Sequence, residues 1–149
     1  MYTIEKTNSG NIDFQALVKE LDKDLAIRDG AEHSFYAKYN SIASIQHAIV
    51  IYENDVPLGC GAIKEFAPTC MEVKRMYVPV AARGKGIASI VLAALEAWAR
   101  ELGYTKCILE TGLKQPEAIR LYQKNNYSII PNYGQYAGVE NSVCFEKKW

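Results

Sequence analysis

Residues 72–88 read EVKRMYVPVAARGKGIA and contain the transition that decides the fold. The valines and the tyrosine of EVKRMYV favour a β-strand. Gly84 and Gly86 then end the strand pattern. A helix-like apolar pattern follows and ends at Gly103. Its apolar positions are Ile87, Ile90, Val91, Ala94, Leu95, Trp98 and Leu102. The sequence therefore predicts a strand, a glycine loop and a helix, in that order.

The glycine loop has the features of a phosphate cradle. Gly84 and Gly86 lie where unpaired backbone N–H groups and the positive end of a helix dipole can face an anion. Glycine lets a phosphate approach the backbone, and Arg83 and Lys85 add positive charge. A simple turn with solvated cations would contain the same residues, so the glycines alone leave both interpretations open.

The rest of the chain predicts more strands and two further helices, with residues 28–40 forming either a short helix or an aromatic loop. Helical patterns begin after Asn11 or Asp13 and at Pro116, the second running to about residue 125. Strand patterns occupy residues 2–5, 47–52, 56–66, 70–78, 106–110, 127–130 and 142–146. The three strands before the loop are expected to be antiparallel, and the strands flanking the Gly86 helix parallel neighbours. Residues 1–149 are thus predicted to form one domain of the α+β (mixed α/β) class, with a mixed, mostly antiparallel central sheet flanked by helices.

Composition limits the classes of partner. The chain has 149 residues, 49% hydrophobic and 23% charged, as is usual for a soluble domain. Seventeen basic residues balance seventeen acidic ones, so no overall charge favours nucleic acid or an anionic membrane. No stretch approaches the ~20 apolar residues of a membrane helix, and a cytoplasmic location is expected. The four cysteines lack the spacing of a zinc site, and Cys70, Cys107 and Cys144 are expected to be buried thiols; no metal site is predicted.

A family pattern surrounds the loop. Arg83, Gly86 and Ala88 fit (Gln/Arg)-x-x-Gly-x-(Gly/Ala). Downstream lie LEAWARELGY, the strand CILE and the segment QPEAIRLYQKNNY, which is similar to Asn-x-x-Ala-x-x-x-Tyr-x-x-x-Gly-Phe. From about residue 45 to residue 145 the chain therefore resembles the GCN5-related N-acetyltransferase (GNAT) family. The resemblance implies the acyl-CoA N-acyltransferase fold and acetyl-CoA as co-substrate.

The resemblance also implies how the cofactor is held. In that family the strand before the loop splays from its parallel neighbour, and the pantetheine arm lies in the gap. The implied contacts are backbone groups of Met76, Tyr77 and Val78 for the arm, and the loop residues Arg83, Gly84, Lys85, Gly86, Ile87 and Ala88 for the pyrophosphate. One backbone N–H at the end of this strand is implied to polarise the thioester carbonyl, as in an oxyanion hole. Gln115 stands where many members have an Asn that contacts the arm.

Two residues are the predicted catalytic groups. Tyr122 occupies the position of the family's tyrosine, whose neutral phenol can give a proton to the departing thiolate, although it could also only pack its helix. Glu72 is the candidate base that takes a proton from the amine. A surface pair with Lys74 or Arg75 is the alternative role for Glu72, and Glu110 is a second candidate base.

The acceptor is the least determined part of the prediction. The resemblance implies an acceptor groove built from residues 28–40 and 131–141, which contain Phe35, Tyr36, Tyr39, Tyr133 and Tyr136. These aromatic residues suit a small amine, an amino acid or a peptide terminus, or they only cover the sheet edge.

The function that the resemblance implies is transfer of an acetyl group from acetyl-CoA to a primary amine of a small molecule or amino acid, by direct attack in a ternary complex. The alternatives are protein or peptide N-acetylation and a non-catalytic acyl-CoA-binding module. Retention of Tyr122, Arg83 and Lys85 favours an enzyme. Nucleotide binding is disfavoured, because neither the Walker nor the dinucleotide-binding spacing is present. Dimers are common among such domains, so a homodimer is one expected assembly.

Overall fold

A computed structural model of the protein describes residues 1–30 and 45–149. The helices are α1 (Ile12–Asp29), α2 (Ile87–Glu101) and α3 (Pro116–Lys124). The strands are β1 (Tyr2–Thr7), β2 (His47–Glu53), β3 (Val56–Ala67), β4 (Cys70–Tyr77), β5 (Lys106–Gly112), β6 (Ser128–Ile130) and β7 (Ser142–Lys148). Within the described residues the order of elements matches the predicted one, and the short helix or aromatic loop predicted for residues 28–40 lies mostly outside them. β1 and β5 extend past the predicted ends at residues 5 and 110. Hydrogen-bonded pairing with the neighbouring strand stabilises the β conformation there, even where the residues themselves favour it less.

The described strands form one sheet in the order β1-β2-β3-β4-β5-β7-β6. Every neighbouring pair is antiparallel except β4 and β5, which are parallel and joined through α2. This arrangement confirms the predicted fold class, including the parallel pair on either side of the glycine loop. Among the described residues no helix is both long and apolar enough to span a bilayer.

Helices cover both faces of the sheet because alternate strand residues point to opposite sides. On one face Ile49 and Ile51 of β2 pack in the cluster that includes Val91 and Leu95 of α2. On the other face Ala48 and Val50 pack against α1, whose buried residues are Phe14, Leu17 and Val18. The side chain of Asn11 caps α1 by accepting a hydrogen bond from the Phe14 N–H at 2.9 Å. α1 and α2 therefore lie on opposite faces of the sheet, one on each side of β4.

A gap opens between β4 and β5. The two strands pair only at their beginnings, from Cys70 opposite Lys106 to Glu72 opposite Ile108. Beyond Glu72 no pairing joins them in the described part of the chain, so backbone groups on these edges face the gap. The predicted splay between the parallel strands is therefore present.

β4 also carries a β-bulge beside the gap. Cys60 of β3 lies opposite Tyr77, whereas Ala62 lies opposite Lys74, so β4 has one more residue than β3 over this stretch. Arg75 lies in the bulge with φ 58°, a left-handed conformation that is uncommon for a residue with a side chain. The sequence EVKRMYV contains no glycine or asparagine that would predict this break in the strand.

Candidate active site

The glycine loop leads directly into the N-terminus of α2. A short 3₁₀ turn (Val80–Ala82) precedes it, and Gly84 and Gly86 have φ values of 82° and 78°. Both glycines are needed for this left-handed backbone, and a Cβ at either position would meet no described atom within 4 Å. No side chain caps α2, so its first N–H groups face the loop without a capping partner. The local geometry is that of an anion site.

A cavity of about 250 Å³, here called the loop cavity, lies between this loop and α3. Its charged lining among the described residues consists of Arg83, Arg120 and Lys124, with no acidic side chain. Lys85, which the sequence analysis favoured as a loop cation, is not among the lining residues. The cavity therefore combines backbone N–H groups on one side with two cations of α3 on the other.

The side chain of Arg83 already contacts other residues of the protein. Its Nε donates a hydrogen bond to the Val78 carbonyl at 2.8 Å, and its guanidinium lies 5.8 Å from the centre of the Tyr77 ring. These contacts tie the loop back to the end of β4. The cations of α3 thus add positive charge on the side of the cavity that Arg83 does not cover.

A second cavity of about 110 Å³, here called the central cavity, lies at the β4–β5 gap. Residues from both faces of the sheet line it: Leu21 and Leu25 come from α1, and Ala118 and Tyr122 from α3. The remaining lining residues are Glu72, Val73, Lys74, Arg75 and Met76 of β4, Glu110, Thr111 and Gly112 of β5, Gln115 and Tyr136. The cavity therefore brings together Tyr122, Glu72, Glu110, Met76 and Gln115, five of the residues predicted to matter.

The end of β4 connects the two cavities. Met76 lines the central cavity and Val78 lines the loop cavity, with Tyr77 between them. A ligand that reached from one cavity to the other would pass along these three residues, which are those predicted to contact the cofactor arm.

Comparisons with known proteins place the chain in a family. The model of the Acetyltransferase (GNAT) family matches residues 14–127. This protein is a GNAT acetyltransferase. The "IAA acetyltransferase" of Azospirillum brasilense is 32% identical over 133 residues, covering 88% of this chain and 87% of its own. The family and this relative show an enzyme that transfers an acetyl group from acetyl-CoA.

Solved structures share the fold. A Klebsiella pneumoniae protein that carries the name acyl-CoA N-acyltransferase has a TM-score of 0.82 at 30% identity, with 99% of this chain and 97% of that chain covered. A GNAT family acetyltransferase from Elizabethkingia anophelis, solved with acetyl-CoA bound, has a TM-score of 0.72 at 18% identity, with 99% and 98% covered. The second likeness shows the fold alone.

In this GNAT protein Tyr122 is buried, with 6% of its surface exposed. Its ring lies 5.8 Å from the rings of Tyr127 and Phe145. Burial, and then the negative charge of Glu110, raise the pKa of the Tyr122 phenol above its ordinary value of 10.0. The phenol therefore keeps its proton at neutral pH and has one to give.

Glu72 is also buried, and it has two partners. The Tyr133 hydroxyl donates a hydrogen bond of 2.6 Å to one carboxylate oxygen, and the Lys74 ammonium lies 3.6 Å from the other. Of the two pairings considered for Glu72, the one with Lys74 is present, whereas Arg75 pairs with Asp22 of α1. The carboxylate faces the central cavity while these partners fix its orientation.

The predicted acceptor groove is only partly within the described residues. Phe35, Tyr36 and Tyr39 lie outside them. Tyr136 is buried and lines the central cavity, and Tyr133 packs edge-on against Phe66 with ring centres 5.1 Å apart. Tyr136 is therefore part of the wall of the central cavity, and Tyr133 is joined to that wall by its hydrogen bond to Glu72.

Arg120 and Lys124 are residues that the sequence analysis missed. They lie on α3 one turn apart, and this i, i+4 spacing on the helix of Tyr122 was the available signal. Gln115, which was predicted, precedes α3 without capping it, and its Nε2 lies 3.6 Å from the position of a Cβ at Gly112. The side-chain amide therefore lies at the β5 side of the central cavity.

Proposed function

We propose that this enzyme transfers the acetyl group of acetyl-CoA to a primary amine of a small molecule or amino acid, by direct attack in a ternary complex. The observation that carries the proposal is the β4–β5 gap with a cavity at each end. One cavity is suited to a phosphate anion and the other to proton transfer. A cofactor with a phosphate end and a reactive end requires both.

The cofactor would lie along the end of β4. Its pyrophosphate would accept hydrogen bonds from the amides of Gly84, Gly86 and the following residues, with Arg120 and Lys124 facing it from α3. The pantetheine arm would run beside residues 76–78, and Gln115 would donate to it from the β5 side. This path ends with the thioester beside Tyr122.

The reaction removes two protons from the ammonium and gives one proton to the departing thiolate. The amine reaches the site as an ammonium, and Glu72 or Glu110, directly or through water, would take one proton. The nitrogen lone pair then attacks the thioester carbonyl carbon, a C–N bond forms, and the C–S bond breaks with its electron pair on sulfur. Tyr122 would give its proton to that thiolate and recover one from the amine side through solvent. The products are an N-acetyl amide and the free thiol of CoA.

The dimensions of the central cavity support a small acceptor. Its volume is about 110 Å³, and Leu21, Leu25 and Tyr136 are among its walls. Apolar walls around a few polar groups are typical of small-molecule sites. A folded protein would have to insert the amine of a side chain or terminus into this space.

The test is thiol release from acetyl-CoA across a panel of small amines, amino acids and peptides. We expect acceptor-dependent release with at least one small amine or amino acid, and none with the Tyr122→Phe variant above background. Release only with peptides would contradict the small-molecule assignment. Binding of acetyl-CoA without release for any amine class would contradict the catalytic proposal itself.

A further inference from the structure

Arg75 combines several uncommon features in one residue. It lies in the β4 bulge with φ 58°, and only 2% of its side chain is exposed. Its guanidinium forms an ion pair with Asp22, which lies on α1. Its carbonyl accepts a hydrogen bond from the Cys60 thiol at 3.4 Å. Both its side chain and its backbone are therefore held by neighbouring elements.

These features carry a cost that the fold has to offset. A left-handed conformation is unfavourable for a residue with a Cβ, and a buried guanidinium is unfavourable without a partner. The Nε of Arg75 is buried and has no hydrogen-bond partner among the described residues, so Asp22 is the main compensation shown for the charge. Strained residues that persist against such costs cluster at functional sites.

The bulge determines which backbone groups face the gap. Along a strand, successive N–H and C=O groups point alternately to the two neighbouring strands. One extra residue in β4 shifts this alternation for everything after Arg75, including Met76 and Tyr77. Since β5 does not pair with β4 beyond Glu72, the groups that the bulge turns toward the gap are those a ligand would meet.

We propose that Arg75 is a positioning residue: its ion pair with Asp22 holds the β4 bulge, and with it the backbone N–H at the end of β4 that the family resemblance implies for the thioester carbonyl. The proposal rests on the acetyl-CoA path described under the proposed function. α1 then has a second role besides lining the central cavity, because Asp22 fixes the backbone of β4 where the cofactor arm would lie.

The experiment compares two substitutions that both remove the guanidinium. Glycine adopts φ 58° without strain, whereas valine strongly disfavours it. We expect Arg75→Val to lower kcat by about 100-fold, the loss expected for a misplacement of about 1 Å, while Arg75→Gly retains much more of the native kcat. Asp22→Ala should resemble Arg75→Val, since it leaves a buried charge unpaired. The KM for the amine should change little in all three.

Lys147→Ala is the matched control. It also breaks an ion pair with a buried carboxylate, that of Glu96 at 2.8 Å, but neither residue lines the two cavities. This variant should melt at a lower temperature and keep the native kcat below that temperature. Equal losses in Arg75→Gly and Arg75→Val, expressed in the KM for the amine, would overturn the proposal in favour of direct acceptor contact.

A crystal structure of Asp22→Ala separates this proposal from the proposed function. Loss of the left-handed residue at position 75, or of the pairing between Cys60 and Tyr77, is the expected result. Retention of both would overturn the positioning role whether or not the native enzyme acetylates an amine. Absence of acetyl-CoA binding by the native enzyme would instead contradict the proposed function.

Discussion

The loop cavity and the central cavity lie at opposite ends of the same gap and are built in different ways. The loop cavity uses backbone geometry from one contiguous stretch, with exposed cations added from α3. The central cavity takes buried side chains from α1, β4, β5 and α3. An anion site can therefore form from one short segment whose backbone N–H groups are unpaired. A site for proton transfer needs buried side chains that come from distant parts of the chain.

The substitution Tyr122→Phe is expected to distinguish the roles of the two cavities most clearly. Removing the phenol should lower kcat by about 10²- to 10⁴-fold, the range of general acid catalysis, and leave acetyl-CoA affinity unchanged. Steady-state kinetics and calorimetric titration with acetyl-CoA measure the two quantities. Because burial raises the pKa of Tyr122, the native enzyme should also show no loss of activity from its ionisation near pH 10.

If the affinity for acetyl-CoA fell as much as kcat, the two cavities would not have separate roles, because Tyr122 would be a binding residue. A kcat close to that of the native enzyme would leave Tyr122 with only its packing role against Tyr127 and Phe145.

The converse change is a double substitution, Arg120→Ala with Lys124→Ala. Losing two charge-assisted contacts should weaken acetyl-CoA binding by about 10- to 100-fold, with kcat retained at saturation. Lys85→Ala should have a smaller effect because Lys85 does not line the loop cavity. Titration at two salt concentrations checks the charge dependence.

Lys19→Ala, on the exposed face of α1, is the control for simple loss of positive charge. An equal loss of affinity in this variant would mean that the cations of α3 act only through overall charge. A larger effect from Lys85 than from the α3 pair would restore the assignment made from the sequence.

The loop, the fold and the position of Tyr122 at the central cavity could be predicted because their signals are local or follow from chain order. Gly84 and Gly86 lie within one segment, and the parallel pair follows from a single crossover. The orientation of Arg120 toward the loop depends on how α3 packs, which its own sequence does not specify.

Other parts of the site had no sequence signal at all. The bulge at Arg75 contains no glycine or asparagine to mark its left-handed residue, so EVKRMYV resembles an uninterrupted strand. The contact between Tyr133 and Glu72 joins residues that are 61 positions apart. Such contacts follow from tertiary packing, which places the 131–141 loop over β4.

The smallest predicted effect is on the stability of the folded protein at alkaline pH, through three buried side chains. Burial raises the pKa of Cys144 to about 11 from its ordinary 9.0, and raises the pKa of Tyr122 and Tyr136 above 10.0. The folded state therefore holds these protons more tightly than the unfolded state. Their contribution is fully present below about pH 9 and is lost as the pH rises through the folded values.

Thermal melts from pH 7 to pH 11 measure this dependence. We expect a falling melting temperature above about pH 9, with a shallower fall in Tyr136→Phe, which lacks one of the protons. An alkaline profile in this variant identical to that of the native enzyme would mean that Tyr136 does not contribute.

The most direct measurement is a crystal structure of the enzyme with CoA. We expect the pyrophosphate on the amides of the 83–88 loop, the arm between β4 and β5, and the sulfur within about 3.5 Å of the Tyr122 hydroxyl, a distance suited to a hydrogen bond. CoA bound away from the gap, or lying in it with its sulfur far from Tyr122, would contradict the proposed binding path and the role of Tyr122.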